Sequence, residues 1–431
     1  MKRLGIIIWL VTMFISTASV AEDLMQVFTM SLKSDPQLLA EAASRQAVGE
    51  LDDQALARFL PQVELNAYDG YIRQDASSKS FLGNDIDYND HGYTLSVTQP
   101  VYRRQNFVQQ TQADISIEGA QASYLVAEQA LIIRVSERYF EVLGRQDALS
   151  FATAEHEAIS QQLEQTKQRF EVGLSTITDV AESQAAYDLS IASIIFAETA
   201  LANSKERLRE IAGRYMDTLS VLKPETPLVR PDPEDIDQWT QLALEKNPNI
   251  LVAKAAVDNA GQNIEFQKSG HYPSLDVVGQ KNYSSQSDSS FNGSYKVHQD
   301  SVSLQFNLPI YTGGAVVSRS REASYRLDQA MQNQEQQHRE VTRQAREAYN
   351  EVIAGISQVK ALKQAVFSSE KALESTEAGF EVGTRTTVDV LTVRRELFRA
   401  LRDHARSRYD YILSTLRLKQ AAGIVSIEDL N

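Results

Sequence analysis

Arg169-Phe170-Glu171-Val172-Gly173-Leu174-Ser175-Thr176-Ile177-Thr178-Asp179-Val180 returns as Gly379-Phe380-Glu381-Val382-Gly383-Thr384-Arg385-Thr386-Thr387-Val388-Asp389-Val390, about 210 positions later. Each copy stands between a long helical stretch and a shorter one, so each reads as a turn between antiparallel helices. A repeat at half the chain length sets the architecture before any motif does. Other landmarks keep nearly the same offset. Asp35-Pro36 answers Asn247-Pro248, Leu60-Pro61-Gln62 answers Tyr272-Pro273-Ser274, and Gln99-Pro100-Val101-Tyr102 answers Leu308-Pro309-Ile310-Tyr311. Tyr139-Phe140-Glu141-Val142 answers Tyr349-Asn350-Glu351-Val352, and Ala212-Gly213 answers Ala422-Gly423. The order is the same in both halves, so the chain is a duplicated module.

The first residues carry the pattern of a secretory signal. Lys2 and Arg3 form a positive start, an apolar run follows from Gly5 to Ile15, and Ser19-Val20-Ala21 offers a small-x-small cleavage site. The apolar run is too short to span a bilayer as a helix. With no cysteine in the chain, disulfides and a lipid-acceptor thiol are excluded. Removing Lys2 and Arg3 takes the formal charge from −14 to about −16, which argues against a nucleic-acid partner. No other segment approaches 18 consecutive apolar residues, the length that marks a spanning helix. An exported chain of this kind is soluble or forms a β-barrel, the one other structure that satisfies its backbone in lipid.

After each of the Leu60-Pro61 and Tyr272-Pro273 landmarks the hydrophobic period changes to two. Val63, Leu65 and Ala67 alternate with Gln62, Glu64 and Asn66, and Tyr93, Leu95 and Val97 with Thr94, Ser96 and Thr98. Leu275 and Val277 open a weaker strand that runs to Tyr283, and Val302, Leu304, Phe306 and Leu308 alternate with Ser301, Ser303, Gln305 and Asn307. Such alternation marks half-buried strands, here of a length that fits a tilted span of a membrane. Tyr71, Tyr93, Tyr102, Tyr283 and Tyr311 fall near strand ends, where interfacial aromatics are expected. The polar segments 74–91 and 284–299 read as long surface loops. A soluble domain of two hairpins fits the same pattern. If the strands span a membrane, four cannot close a barrel and open edges are not tolerated in lipid, so several protomers must share one barrel.

Residues 105–170 and 315–380 contain no proline and little turn chemistry, and each reads as a helix of roughly 100 Å. In the second, Ala345, Tyr349, Val352, Ile356, Val359, Val366 and Leu373 follow steps of three, four or seven, a coiled-coil seam. The return helices, 175–212 and 385–422, are shorter, and the helical segments 36–60 and 248–270, each begun by proline, make up the difference in length. The bland alternative to a channel is a periplasmic coiled-coil rod, structural or adhesion-related, with no pore.

Leu60-Pro61-Gln62, the Val-Gly turns followed by Thr178-Asp179-Val180 and Val388-Asp389-Val390-Leu391, and the duplication itself resemble the TolC family of outer-membrane channels. The likeness covers nearly the whole mature chain. It implies a mixed α and β membrane protein: a homotrimeric outer-membrane β-barrel with four strands per protomer, continued by a periplasmic α-helical coiled-coil barrel. The expected division is a signal peptide at 1–21, a first repeat at 22–213, a linker at 214–234, a second repeat at 235–423 and a C-terminal tail at 424–431. The resemblance also implies an exit duct in the outer membrane that extends into the periplasm. A periplasmic adaptor and an inner-membrane ABC or proton-driven pump would be its partners, in type I protein secretion or small-molecule efflux. It does not choose between those cargoes.

Position by position, the resemblance places a periplasmic gate at Thr178, Asp179, Phe380 and Arg385. Phe380 stands where relatives carry a tyrosine, and Thr392 stands where a second entrance aspartate is expected, so a looser closed state is predicted. Asp389 supplies an acidic ring at the lumen entrance. Glu396, seven residues on and back on the same helix face, is either a second ring or a solvated partner of nearby arginines. The tips Val172-Gly173-Leu174 and Val382-Gly383-Thr384 are adaptor contacts by resemblance and helix stops by their glycines.

Enzyme chemistry finds no footing. His91, His156, His271, His298, His338 and His404 are scattered, with no metal-ligand spacing, and there is neither a phosphate-binding glycine loop nor a nucleophile elbow. No metal or cofactor is expected. Arg394, Arg395, Arg399, Arg402, Arg406 and Arg408 could suggest polyanion binding, but among Glu and Asp on one helix they read as an inter-helix ion-pair face.

Overall fold

The computed structural model describes residues 21–74, 86–222, 227–289 and 293–430, so the signal peptide, apart from Ala21, lies outside the described residues. The helices and strands run, in chain order, α1 (Leu24–Ser34), α2 (Pro36–Gly49), α3 (Leu51–Ala57), β1 (Gln62–Gln74), β2 (Ile86–Arg103), α4 (Arg104–Glu171), α5 (Ile177–Ala212), α6 (Ile236–Lys246), α7 (Pro248–Lys268), β3 (Ser274–Ser289), β4 (Gly293–Asn307), α8 (Ala315–Glu381) and α9 (Thr387–Ala421). The two long helices fall within a residue or two of their sequence-based bounds. Sequence reading missed α1 and α6, which open the repeats. Their signals were present: Asp23 and Gln26 form a capping box, with Gln26 N 2.7 Å from Asp23 Oδ1. Asp235 Oδ1 likewise accepts from Asp237 N at 2.8 Å.

The chain forms two compact units, one of residues 1–39, 129–239 and 345–431, the other of 40–128 and 240–344. The second unit holds the sheet, which is antiparallel in the order β1-β2-β3-β4. One face carries Val63, Leu65, Val97, Val302, Leu304 and Phe306; all are exposed, Val302 at 82%. The other face carries Glu64, Asn66, Thr94, Ser96, Gln280 and Asn282. A sheet apolar on its bare side needs lipid or protein against that side.

The strands run further than the alternation foretold. His91 pairs with Asp69 on one side and Ser285 on the other, and Lys296 pairs with Ser285, so much of 74–91 and 284–299 is strand, not loop. Residues 75–85 and 290–292 of those segments lie outside the described residues. Alternation reports where a face is covered by apolar surroundings. The backbone ladder satisfies itself whatever the side chains are, and so continues past that point. At the sheet base Arg103 binds Asp276 with two bonds of 2.8 and 2.9 Å, and Gln99 Nε2 donates to Phe59 O at 2.8 Å. The ring of Phe59 meets Phe107 edge-on at 5.1 Å.

In the first unit the coiled-coil seam is confirmed where it is deepest: Ala345, Val352, Ile356 and Val359 are buried, while Tyr349, Val366 and Leu373 are half-buried. The linker is strapped down by tyrosine hydroxyls. Tyr411 Oη donates to Val229 O at 2.9 Å and accepts from Val229 N at 2.9 Å, and Tyr139 Oη donates to Ser220 O at 2.7 Å. Glu22 pairs in parallel with Leu219. The C-terminal tail closes with a 3₁₀ turn, Ile427–Leu430, whose Leu430 is buried.

Candidate channel entrance at the helix tips

The repeated sequence is a stop followed by a start. At the end of α4, Gly173 takes φ +78°. Its N–H reaches Phe170 O at 2.9 Å, and Leu174 N reaches Arg169 O at 2.8 Å. At the end of α8, Gly383 also takes φ +78°, and Gly383 N and Thr384 N bond Phe380 O and Gly379 O at 3.1 and 2.8 Å. Both are left-handed glycine caps that satisfy the last helical carbonyls. Three residues later Thr176 and Thr386 cap α5 and α9, and Asp179 and Asp389 close the capping boxes.

Those two aspartates are held below the ordinary carboxylate range. For Asp179 the largest cause is the Thr176 backbone N–H, followed by the Thr176 hydroxyl, with the side chains of Ser175 and Thr387 contributing. For Asp389 the Thr386 backbone N–H comes first, then the Thr386 hydroxyl, with the nearby Arg385 charge adding to it. The bonds are short: Thr176 N and Oγ1 lie 2.8 and 2.7 Å from Asp179 Oδ2, and Thr386 N lies 2.9 Å from Asp389 Oδ2.

Two contacts cross from one hairpin to the other. The Thr387 side chain, only 1% exposed, lies beside Asp179 and helps to keep its carboxylate charged. Arg169 places its guanidinium 4.7 Å from the centre of the Phe380 ring. The repeat equivalent of Thr387 is Ile177, which is 65% exposed and has no hydroxyl to offer Asp389. Further from the tip, Arg394 ties three helices: it donates to Glu377 at 2.6 Å and to Ala158 O at 2.8 Å. Arg169 and Thr387 were not singled out by sequence reading. The signal for Thr387 was its mismatch with Ile177 between otherwise parallel copies.

Of the residues expected at the gate, Asp179 and Phe380 make the cross-hairpin contacts. Thr178 is exposed at the start of α5, and Arg385 is exposed, its stem lying over Gly379 and its charge near Asp389. Glu396 pairs with Arg399 on its own helix at 3.4 Å. At the tips Val172, Leu174 and Val382 are 70%, 71% and 75% exposed.

The family profile described as outer membrane efflux protein matches residues 27–214 and again 239–424. The chain belongs to the outer membrane efflux protein family. The chain is 39% identical over 418 residues to the outer membrane protein TolC of Vibrio cholerae, covering 96% of this chain and 94% of that one. It is 26% identical to the alkaline protease secretion protein AprF of Pseudomonas aeruginosa, covering 95% and 86%. The fold matches the Campylobacter jejuni CmeC outer membrane channel with a TM-score of 0.78 at 15% identity, covering 93% of this chain and 86% of that one. As a family member the chain is an outer-membrane exit duct that extends into the periplasm and serves efflux or type I secretion. Such channels are trimers that work with adaptor and pump partners, and their role is not catalytic. Three copies with four strands each resolve the open edges of β1 and β4.

Among the described residues no cluster of three or more His, Asp or Glu is placed to hold a metal ion. The arginine face of α9 pairs between helices only in part: Arg394 meets Glu377 of α8 and Arg402 meets Glu155 of α4, whereas Arg399–Glu396 and Arg406–Asp410 lie within α9.

Proposed function

We propose that the paired tips are the gate of this duct and the landing site of its periplasmic adaptor. One observation carries the reading: the residues that join the two hairpins to each other leave Val172, Leu174 and Val382 bare. Exposed apolar side chains at the ends of long polar helices mark a surface that a partner covers. Asp179 with Thr387, and Arg169 with Phe380, act as a latch within each protomer. Arg385 stays exposed at the same level, available to a neighbouring copy. Contacts of this strength, each about 1 kcal/mol or less, hold one state and yield to a partner that prefers another. Asp389 forms the main acidic ring of the entrance. Glu396 adds a weaker one, because Arg399 offsets its charge.

Trimer contacts have a candidate surface as well. Among the described residues α5 is the one helix whose length and composition would suit a membrane span. Its Leu189, Ile195 and Phe196 are 67%, 56% and 75% exposed. Since the sheet supplies the membrane span, the neighbouring protomer is the occupant proposed for this stripe. The likeness to a protease secretion protein supports export of protein through the same duct beside small-molecule efflux.

The chain has no cysteine, so single-cysteine crosslinking is clean. Leu174→Cys and Thr384→Cys should each crosslink to the adaptor in cells, while a cysteine at the mid-helix position Gln336 should not. Equal capture at all three positions, or at none, would remove the tips as the docking site.

A further inference from the structure

The polar face of the sheet is the one a membrane barrel turns to its lumen. Tyr68 belongs to it, with its hydroxyl 3.4 Å from Asp90 Oδ1 on β2 and 3.4 Å from Ser284 Oγ on β3. The ring thus reaches across β2, and Gly92, the residue paired with Tyr68, makes room for it. A Cβ at Gly92 would collide with Tyr283 O and stand 2.9 Å from the Tyr68 hydroxyl oxygen and 3.0 Å from its Cε1. Only glycine lets the ring lie there. Tyr68 remains 48% exposed.

Beside the ring stands a carboxylate with no countercharge. Asp90 is half-buried and makes no ion pair among the described residues. Its partner on β1 is Gly70, which has no side chain to cover it. Tyr88, two residues before Asp90, and Tyr295, paired with the Gln286 that neighbours Asp90, belong to the same face. Arg103, the base of this face among the described residues, is taken up by Asp276. The group lies toward the hairpin turns, away from the strand ends that join the helices, and so toward the exit of the duct.

We propose that Tyr68 and Asp90 form a binding site for organic ammonium cations in transit, one per protomer, on the wall of the barrel lumen. The cation rests on the face of the Tyr68 ring, whose π-electrons attract positive charge, and the Asp90 carboxylate supplies the countercharge. Quaternary ammonium groups, which have no N–H to donate, are the ligands that aromatic faces recognise. A neutral ligand of the same shape gains nothing from either group. The site rests on the sheet alone and is independent of the gate.

The test is saturation-transfer NMR on intact trimers in a nonionic detergent, with choline as the probe and its neutral isostere 3,3-dimethylbutan-1-ol as the control. The wild type should transfer several-fold more signal to the choline methyls than to those of the isostere. Asp90→Asn and Tyr68→Leu should each bring choline down to the level of the isostere, while Tyr68→Phe, which keeps the ring, should hold most of the excess. Glu64→Gln removes another carboxylate of the same face and should leave the excess in place. Trimer mass reports assembly; if Tyr68→Leu does not assemble, the isosteric Asp90→Asn still decides. Equal transfer to the two probes in the wild type, an excess unchanged in Asp90→Asn, or an equal loss in Asp90→Asn and Glu64→Gln overturns the proposal.

Discussion

The guanidinium of Arg169 stacks 4.7 Å from the centre of the Phe380 ring and so joins the end of α4 to the end of α8. The contact needs a ring face and no hydroxyl, which suits a phenylalanine. A half-buried pair of this kind is worth about 1 kcal/mol. A double-mutant cycle with Arg169→Ala and Phe380→Ala should return a coupling of about that size in the closed-to-open ratio of single channels. Phe380→Tyr, which keeps the ring and adds the hydroxyl that relatives carry, should hold the ratio at or above the wild-type value.

The two copies of the tip differ in what they offer each other. Thr387 is buried and sets its hydroxyl beside Asp179, whereas its counterpart Ile177 is exposed and has no hydroxyl to offer Asp389. Thr387→Val removes the hydroxyl that faces Asp179 from the other hairpin and should raise the resting conductance. The matching change Ile177→Thr should not. Conductance in planar bilayers reads both.

Acid should loosen both tips. Asp179 and Asp389 sit below their usual value of 3.8, chiefly through the capping N–H groups of Thr176 and Thr386. A depressed carboxylate contributes stability above its unfolded pKa and loses it as pH falls through the folded one. The tips should therefore be indifferent to pH from neutrality down to about 4 and weaken below 3.8. Hydrogen exchange of the first-turn amides of α5 and α9 measures this, and Asp179→Asn should abolish the dependence at the first tip. Thr176→Ala and Thr386→Ala should each destabilise their helix start by about 1 kcal/mol.

The acidic rings should differ in strength. Asp389 is partly offset by the nearby Arg385 charge but makes no ion pair in the structure among the described residues, while Glu396 is paired with Arg399 on its own helix. Asp389→Asn should reduce cation selectivity and cation block more than Glu396→Gln. Zero-current potentials in asymmetric salt give the comparison directly.

Much of the fold was legible because repeated local chemistry determines it. A left-handed glycine stop and a threonine-aspartate start are written in a dozen adjacent residues, and the same words appear twice. The long helices were legible for want of any breaker. Strand length was not, because polar side chains on β2, β3 and β4 conceal a ladder that the backbone alone maintains. The site was half legible. Asp179 and Phe380 stood in the sequence, but their partners Thr387 and Arg169 belong to the other hairpin, and no spacing within one helix pairs them.

The proposed gate is tested most directly by the single-channel conductance of one combined variant, Arg169→Ala, Thr387→Val and Arg385→Ser. All three side chains lie at the tips, in the unit that does not hold the sheet. The account predicts an intact trimer whose conductance is several-fold above the wild type. An intact trimer with wild-type conductance would contradict it.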